Sequence, residues 1–214
     1  MAEAGDSANV GRLQPAAELV AGRAIAWFCR LSVRGAEHVP PSGPVILAAT
    51  HESMFDVPIV VIASPRPVSF MAHRDLFRRR FGAWFFRSLG GFPVHRGDSR
   101  GVAVAIDVLR RGRVLGVFPE GTRNFGRGTA PFLAGAAWLA LRTGASIVPC
   151  SVAGTALPGP RPHGWWKWLR RRHARVRFGP PIPVERAAST DERRRAARDL
   201  TLRLQSAVAA LHSP

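Results

Sequence analysis

Acidic residues are scarce in this chain. Only 14 Asp and Glu stand against 31 Lys and Arg in 214 residues, a formal net charge of +17. Lysine is scarcer still: Lys167 stands alone, and arginine carries nearly all the positive charge. A surface this positive attracts polyanions, whether nucleic acid, anionic lipid headgroups or phosphorylated substrates. Cysteine is confined to Cys29 and Cys150. They lie far apart at a spacing that matches no metal or redox motif, and no disulfide is expected. No uncharged apolar run reaches the ~18 residues that a membrane-spanning helix needs. Any contact with a bilayer is therefore expected at its surface or partway in. No secretory signal is expected, because the opening MAEAGDSANV is polar and mildly acidic. Internal repeats, long linkers and recognised nucleic-acid motifs are also lacking.

What is present describes a globular protein. Hydrophobic residues make up 46% of the chain and charged ones 21%, a balance that favours a packed core over disorder. The length suits one large domain with a small appendage. Residues 1–33 read as a tail and an amphipathic helix, and 34–214 as the main domain. In the helix, Leu13, Val20, Ala24, Trp27 and Leu31 recur at helical spacings, and Arg12, Arg23 and Arg30 fall on one stripe. Such a helix either lies in a lipid interface or covers the domain core.

Strands and helices then alternate. Val45–Ala49 reads as a short buried strand after a Pro/Gly turn. SMFDVPIVVIASP reads as a helix capped by Ser53, with Pro58 in its early part. PVSFMA reads as a strand, RDLFRRRFGAWFFRSLG as one helix and FPVHR as a strand. A further helix starts at a capping Asp98 or Ser99 and stops at Gly112. VLGVFPEGT begins as a strand and ends in a turn. PFLAGAAWLALRTG is expected to be helical from Pro131 to Gly144. SIVPCSVAG is strand-like, and ARVRFGPPIPV alternates like an exposed strand. The last helix opens on Ser189 and Glu192 in capping-box spacing and carries Leu200, Leu204, Val208 and Leu211 on one side. This alternation predicts an α/β domain with a mixed, largely parallel central sheet flanked by helices, plus the N-terminal amphipathic helix. Sites in such folds form at the C-terminal ends of the strands, where His51, Arg96 and Glu120 all fall.

His51 and Asp56 stand five apart in AATHESMFDVP. Across a strand-to-helix turn such a pair can meet. A carboxylate on one imidazole nitrogen then fixes the tautomer and leaves the other nitrogen to take a proton from a hydroxyl. The plainer alternative is that both residues only terminate the helix, and the pair alone is weak evidence. In FPEGTR a buried strand presents Glu120, Gly121, Thr122 and Arg123 in a row. Gly121 permits close approach of a ligand to the backbone, and Arg123 can grip a phosphate with two parallel hydrogen bonds. A surface turn with an incidental ion pair is the alternative. In GGFPVHRG, Arg96 is either a second phosphate clamp or one more arginine in an arginine-rich chain. SIVPCSVAG reads as scaffold.

Together, over about Arg34 to Thr155, these blocks resemble the lysophosphatidate acyltransferase (PlsC-like) family of glycerolipid acyltransferases. HESMFD is similar to that family's H-x-x-x-x-D, GGFPVHR to its second block, FPEGTR to its third and IVPC to its fourth. A chance match of all four in order is improbable. The chain departs from the usual pattern at His73–Arg74–Asp75–Leu76, at PFLAG, at Asn124 and at Glu52. The first two departures alter positive charge near the acceptor. They leave the acceptor open between lysophosphatidate and another lysolipid.

The resemblance implies direct acyl transfer in phospholipid biosynthesis. His51, oriented by Asp56, would act as general base on an acceptor hydroxyl. Arg96 and Arg123 would hold the acceptor phosphate, and Glu120 would orient glycerol hydroxyls or the arginines, beside Gly121 and Thr122. Backbone N–H groups after Ser53 would receive the oxyanion. The donor would be acyl-CoA or acyl carrier protein as co-substrate, with no cofactor and no metal. The expected partners are a lysophospholipid, the acyl donor and an anionic membrane surface, with no nucleic acid. The expected place is the cytoplasmic face of a membrane, peripheral or monotopic, in a bacterium the inner membrane. RPHGWWKWLRRRHARVR (161–177) combines three Trp with dense Arg, which suits a bilayer interface or a solvated basic loop. A nucleic-acid-binding module and a catalytically dead lipid-binding relative are the rival readings. The first leaves the His/Asp pair and FPEGTR unexplained, and the presence of both His51 and Asp56 argues against the second.

Overall fold

Val45–Ala49 contains no polar side chain and is buried at every position. A strand reads this way when a parallel sheet is covered on both faces. The computed structural model, which describes residues 29–94, 99–124, 130–155, 173–187 and 189–212, has that arrangement. Seven strands are β1 (Ser32–Arg34), β2 (Val45–Ala49), β3 (Val68–His73), β4 (Gly91–Val94), β5 (Val114–Val117), β6 (Ser146–Ala153) and β7 (Arg175–Phe178). They form one sheet in the order β1-β7-β6-β2-β5-β3-β4. Every neighbouring pair is parallel except β6 and β7. The helices are α1 (Asp56–Ala63), α2 (Arg80–Ser88), α3 (Ser99–Arg110), α4 (Gly135–Thr143) and α5 (Thr190–His212).

Two apolar layers sandwich the sheet. On one face α1 packs Val57, Ile59 and Val60 against Val45, Leu47, Val148, Cys150 and Val176. This helix is apolar nearly all round because it is buried nearly all round. On the other face α3, α4 and α5 cover Ile46, Ala48, Leu115 and Ile147. The register levels Ala48 with Val117 on β5 and Pro149 on β6, so the C-terminal ends of the three central strands share one edge. Among the described residues no helix is long and apolar enough to cross a membrane.

The α/β architecture, the stop at Gly112, the left-handed cap at Gly144 and the last helix follow the sequence expectation. The capping box is reciprocal: Glu192 N–H donates to Ser189 Oγ, and Ser189 N–H donates to the Glu192 carboxylate. Both cysteines are free. Several local expectations fail where tertiary contacts prevail. Pro131 does not open α4. Phe132 N–H donates instead to Gln205 Oε1 and Leu133 N–H to Pro119 O, which holds the approach extended until Gly135. Ser53 does not cap α1. Its Oγ accepts from Phe55 N–H within the preceding turn, and the helix begins at Asp56. The single helix expected from Arg74 splits into a 3-10 turn (Arg74–Phe77) and α2, separated by an extended Arg79. β7 is no exposed strand: it lies between β1 and β6 with Val176 and Phe178 buried. β1 had no sequence signal. The proposed N-terminal helix, Asp98 and the Trp/Arg stretch from 161 to 172 lie outside the described residues.

Gly116 on β5 is a packing requirement. A Cβ there would overlap the Phe70 ring, which in turn stacks on Phe118. Gly116→Ala is expected to cost about 1–3 kcal/mol, as overpacking in a close-packed core does. Equilibrium denaturation should read this as a lower midpoint with an unchanged slope.

Candidate active site

The site begins where β2 ends. Thr50 N–H donates to Cys150 O, and Thr50 Oγ1 both donates to and accepts from the Val152 backbone, so the strand end is clasped to β6. His51 leaves this clasp, and a short turn returns the chain to Asp56, the first residue of α1. His51 Nδ1 lies 2.8 Å from Asp56 Oδ2. The same oxygen accepts the N–H groups of Glu52 and Ser53, each at 2.7 Å, while Thr155 O–H donates to Oδ1. Asp56 is fully buried, and the opening of α1 favours a negative group at that point. With backbone and hydroxyl donors aimed at both oxygens, the carboxyl acts as an acceptor. His51 therefore donates through Nδ1–H and keeps the lone pair on Nε2. Its ring stacks on Phe118, with centroids 3.9 Å apart and planes 16° from parallel.

The turn after β5 completes the site. Gly121 takes a left-handed φ of 68° and its N–H closes the turn on Phe118 O. This reverses the chain over His51 from both sides. His51 N–H donates to Glu120 Oε1 at 3.3 Å, and Asn124 N–H donates to His51 O at 2.8 Å. Glu120 is buried, and its Oε2 has no hydrogen-bond partner among the described residues. Burial pushes its pKa from 4.5 up to about 7. The N–H groups of His51 and Ala130 act the other way, and the Asp56 and Glu52 carboxylates add to the rise.

The structure thus brings His51, Asp56, Glu120 and Gly121 together, with Thr122 and Arg123 exposed in the same turn. Arg96 lies outside the described residues. Within the turn the N–H groups of Glu52 and Ser53 serve Asp56, that of Phe55 serves Ser53 Oγ and that of Asp56 serves Ser53 O. Sequence reasoning missed Thr155 and Phe118, whose only signal is a position just beyond a strand end. It also missed His212 at the end of α5. His212 Nδ1 is 3.0 Å from Ser151 Oγ, and its Nε2 is 3.9 Å from Glu52 Oε1 beside the dyad. Next to the end of β5 lies an apolar cleft of 370 Å³, lined by Met71, Val102, Val117, Gly135, Trp138 and Leu139 among others.

The acyltransferase family model matches residues 30–153, from before the first strand to the end of β6. The chain belongs to the acyltransferase family. Among similar curated acyltransferases, the 1-acyl-sn-glycerol-3-phosphate acyltransferase of Borreliella burgdorferi is 35% identical over 59% of this chain and 52% of its own length. The human 1-acyl-sn-glycerol-3-phosphate acyltransferase alpha is 30% identical over 73% of this chain and 56% of its own. The chain therefore spans about half the length of these relatives. The solved structure of the 1-acyl-sn-glycerophosphate (LPA) acyltransferase PlsC from Thermotoga maritima shares the fold. It aligns with a TM-score of 0.62 at 23% identity, covering 89% of this chain and 80% of that one.

Glu120 gives this protein a pH signature. Between 4.5 and about 7 the unfolded chain has released this proton while the native state retains it. The native state then binds more protons, so stability falls as pH rises through that window and levels off above it. Glu120→Gln should flatten that slope and leave the protein more stable than wild type at pH 8, by on the order of 1–2 kcal/mol. Denaturation midpoints measured from pH 4.5 to 8 would check it.

Proposed function

We propose that the chain transfers a fatty acyl group from a thioester donor to the free hydroxyl of a lysophospholipid, 1-acyl-glycerol-3-phosphate, in phospholipid synthesis. One observation carries this: His51 bonded through Nδ1 to a buried, four-donor Asp56, directly beneath the FPEGTR turn. The names of the similar curated acyltransferases support the acceptor.

Nε2 of His51 takes the acceptor's proton as the alcohol oxygen attacks the thioester carbonyl. The tetrahedral intermediate collapses with loss of the C–S bond, and the thiolate leaves with the proton that His51 carried. Asp56 stabilises the transient imidazolium without itself being protonated. No serine nucleophile, metal or cofactor enters this step. Arg123, with Arg96, pairs with the acceptor phosphate, where a guanidinium offers two parallel hydrogen bonds. Glu120, bonded to His51 N–H, keeps the imidazole in position under the turn. The cleft beside β5 offers an apolar seat for an acyl chain. The donor is acyl-CoA or an acyl carrier protein. The chain works at the cytoplasmic face of a membrane, as a peripheral or monotopic protein.

His51→Ala should lower the acyl-transfer rate at least 10²–10⁴-fold, the range of general-base help. Asp56→Asn should also be severe, because the imidazole loses its orienting anion. Arg123→Ala should chiefly raise the KM for the acceptor. Thioester consumption with a panel of lysolipids reads all three. Near-normal turnover by His51→Ala would refute the assignment, and an exclusive preference for an acceptor without phosphate would refute the role of Arg123.

A further inference from the structure

Among the described residues six large hydrophobic side chains are exposed, and four of them lie in the connections that follow β2, β3 and β5. Met54 follows β2, Leu76 and Trp84 lie in the β3–β4 connection, and Leu133 lies between β5 and β6. Because β2, β3 and β5 are parallel, these connections all leave the sheet at one edge. Trp84 is 65% exposed and Leu133 59%. The β3–β4 connection also exposes Arg74, Arg78, Arg79, Arg80 and Arg87, with Asp75 as its one acid. On α2, Arg80, Trp84 and Arg87 follow i, i+4, i+7 spacing and share the outward face, while Phe86 is buried. This unit is fixed in place. Gly82 allows the Leu76 carbonyl to press onto the helix, and the Phe77 and Phe86 rings meet at 5.9 Å.

Apolar side chains held out rigidly beside arginines have a cost in water that a partner must offset. Nucleic acid could use the arginines and stack a base on Trp84, and an acidic protein could use the arginines, but neither accounts for Met54, Leu76 and Leu133 exposed beside them. Tryptophan and leucine among arginines match a bilayer interface, where rings sit at headgroup level and cations meet anionic lipid. We propose that this edge, centred on Trp84 and Leu76 with Arg78, Arg79, Arg80 and Arg87, is the face by which the protein docks on an anionic phospholipid bilayer. The inference rests on the lysolipid reading and deepens it. A lysolipid in the docked leaflet would enter beside Met54 and Leu133 and present its headgroup to the FPEGTR turn.

The test is flotation of the full chain with phosphatidylcholine vesicles, with and without phosphatidylglycerol. Four proteins with matching thermal melts are compared: wild type, the double variant Trp84→Ser/Leu76→Ser, the triple variant Arg78→Ser/Arg79→Ser/Arg80→Ser, and Leu202→Ser. Leu202 is as exposed as Trp84 but lies on α5. The double variant should lose most of its binding to both vesicle types, by several-fold. The triple variant should lose only the increment due to phosphatidylglycerol, and Leu202→Ser should float like wild type. Turnover of a short-chain, water-soluble lysophosphatidate should stay unchanged in the triple variant and in Leu202→Ser. Absence of wild-type flotation, equal flotation of all four, or an equal loss in Leu202→Ser overturns the docking face. So does loss of duplex DNA binding by the triple variant while its phosphatidylglycerol increment persists in full. Flotation as expected from a protein that acylates no lysolipid would instead sink the functional reading and leave the face standing.

Discussion

The buried carboxylate of Asp56 is the constraint on which the rest depends. A charge taken wholly out of water is costly unless donors replace the lost hydration. Here four donors do so, and they come from separate parts of the chain: two N–H groups of the turn, the imidazole that leaves β2 and the hydroxyl that follows β6. One side chain therefore sets the shape of the turn, the start of α1 and the orientation of His51. The clasp of Thr50 on Val152 holds the two strand ends at the separation this network needs. Loss of any one donor would leave a charge buried with incomplete hydrogen bonding, which is why the turn gives its N–H groups to Asp56 rather than to a substrate.

Glu120 is the opposite solution a few ångströms of structure away. It is nearly as buried as Asp56 but receives fewer donors, and one of its oxygens has none among the described residues. Its proton is accordingly held up to about 7. Both carboxyl groups hold His51, Asp56 through the imidazole and Glu120 through the backbone N–H. Phe118 contributes differently: it stacks on the imidazole and on Phe70, so the apolar core itself limits the swing of the ring.

The same strand ends that assemble the site also decide what the protein presents outward. Each of β2, β3 and β5 ends at the same edge, where its connection begins. The residues that touch His51 there are polar apart from Phe118, and the exposed ones in the connections are largely apolar or cationic. A substrate with a phosphate headgroup and a hydrocarbon tail suits such an edge on both counts. Among the described residues, β1 and α5 each carry one exposed large hydrophobic side chain, Val33 and Leu202.

Much of this was legible beforehand because it is local. Periodicity and Pro/Gly punctuation marked the alternating elements, and the reciprocal bonds of Ser189 and Glu192 realise a spacing visible in the letters. The five-residue interval from His51 to Asp56, placed after a short apolar strand, allowed a strand-to-helix turn that joins them, and the company of FPEGTR made it the expectation. What the letters left undecided is what depends on partners far along the chain. Pro131 had the signature of a helix start, yet Gln205 and Pro119 hold that segment extended. Ser53 had the signature of a helix cap and became part of the turn. Thr155 lies 99 residues from Asp56, and nothing local connects them. The inward aim of Glu120 likewise follows from where β5 lies beside β2. Residue types and short intervals are properties of sequence. The neighbours that satisfy a buried charge, and the edge on which exposed side chains collect, follow from strand order, which is settled only when the whole sheet packs.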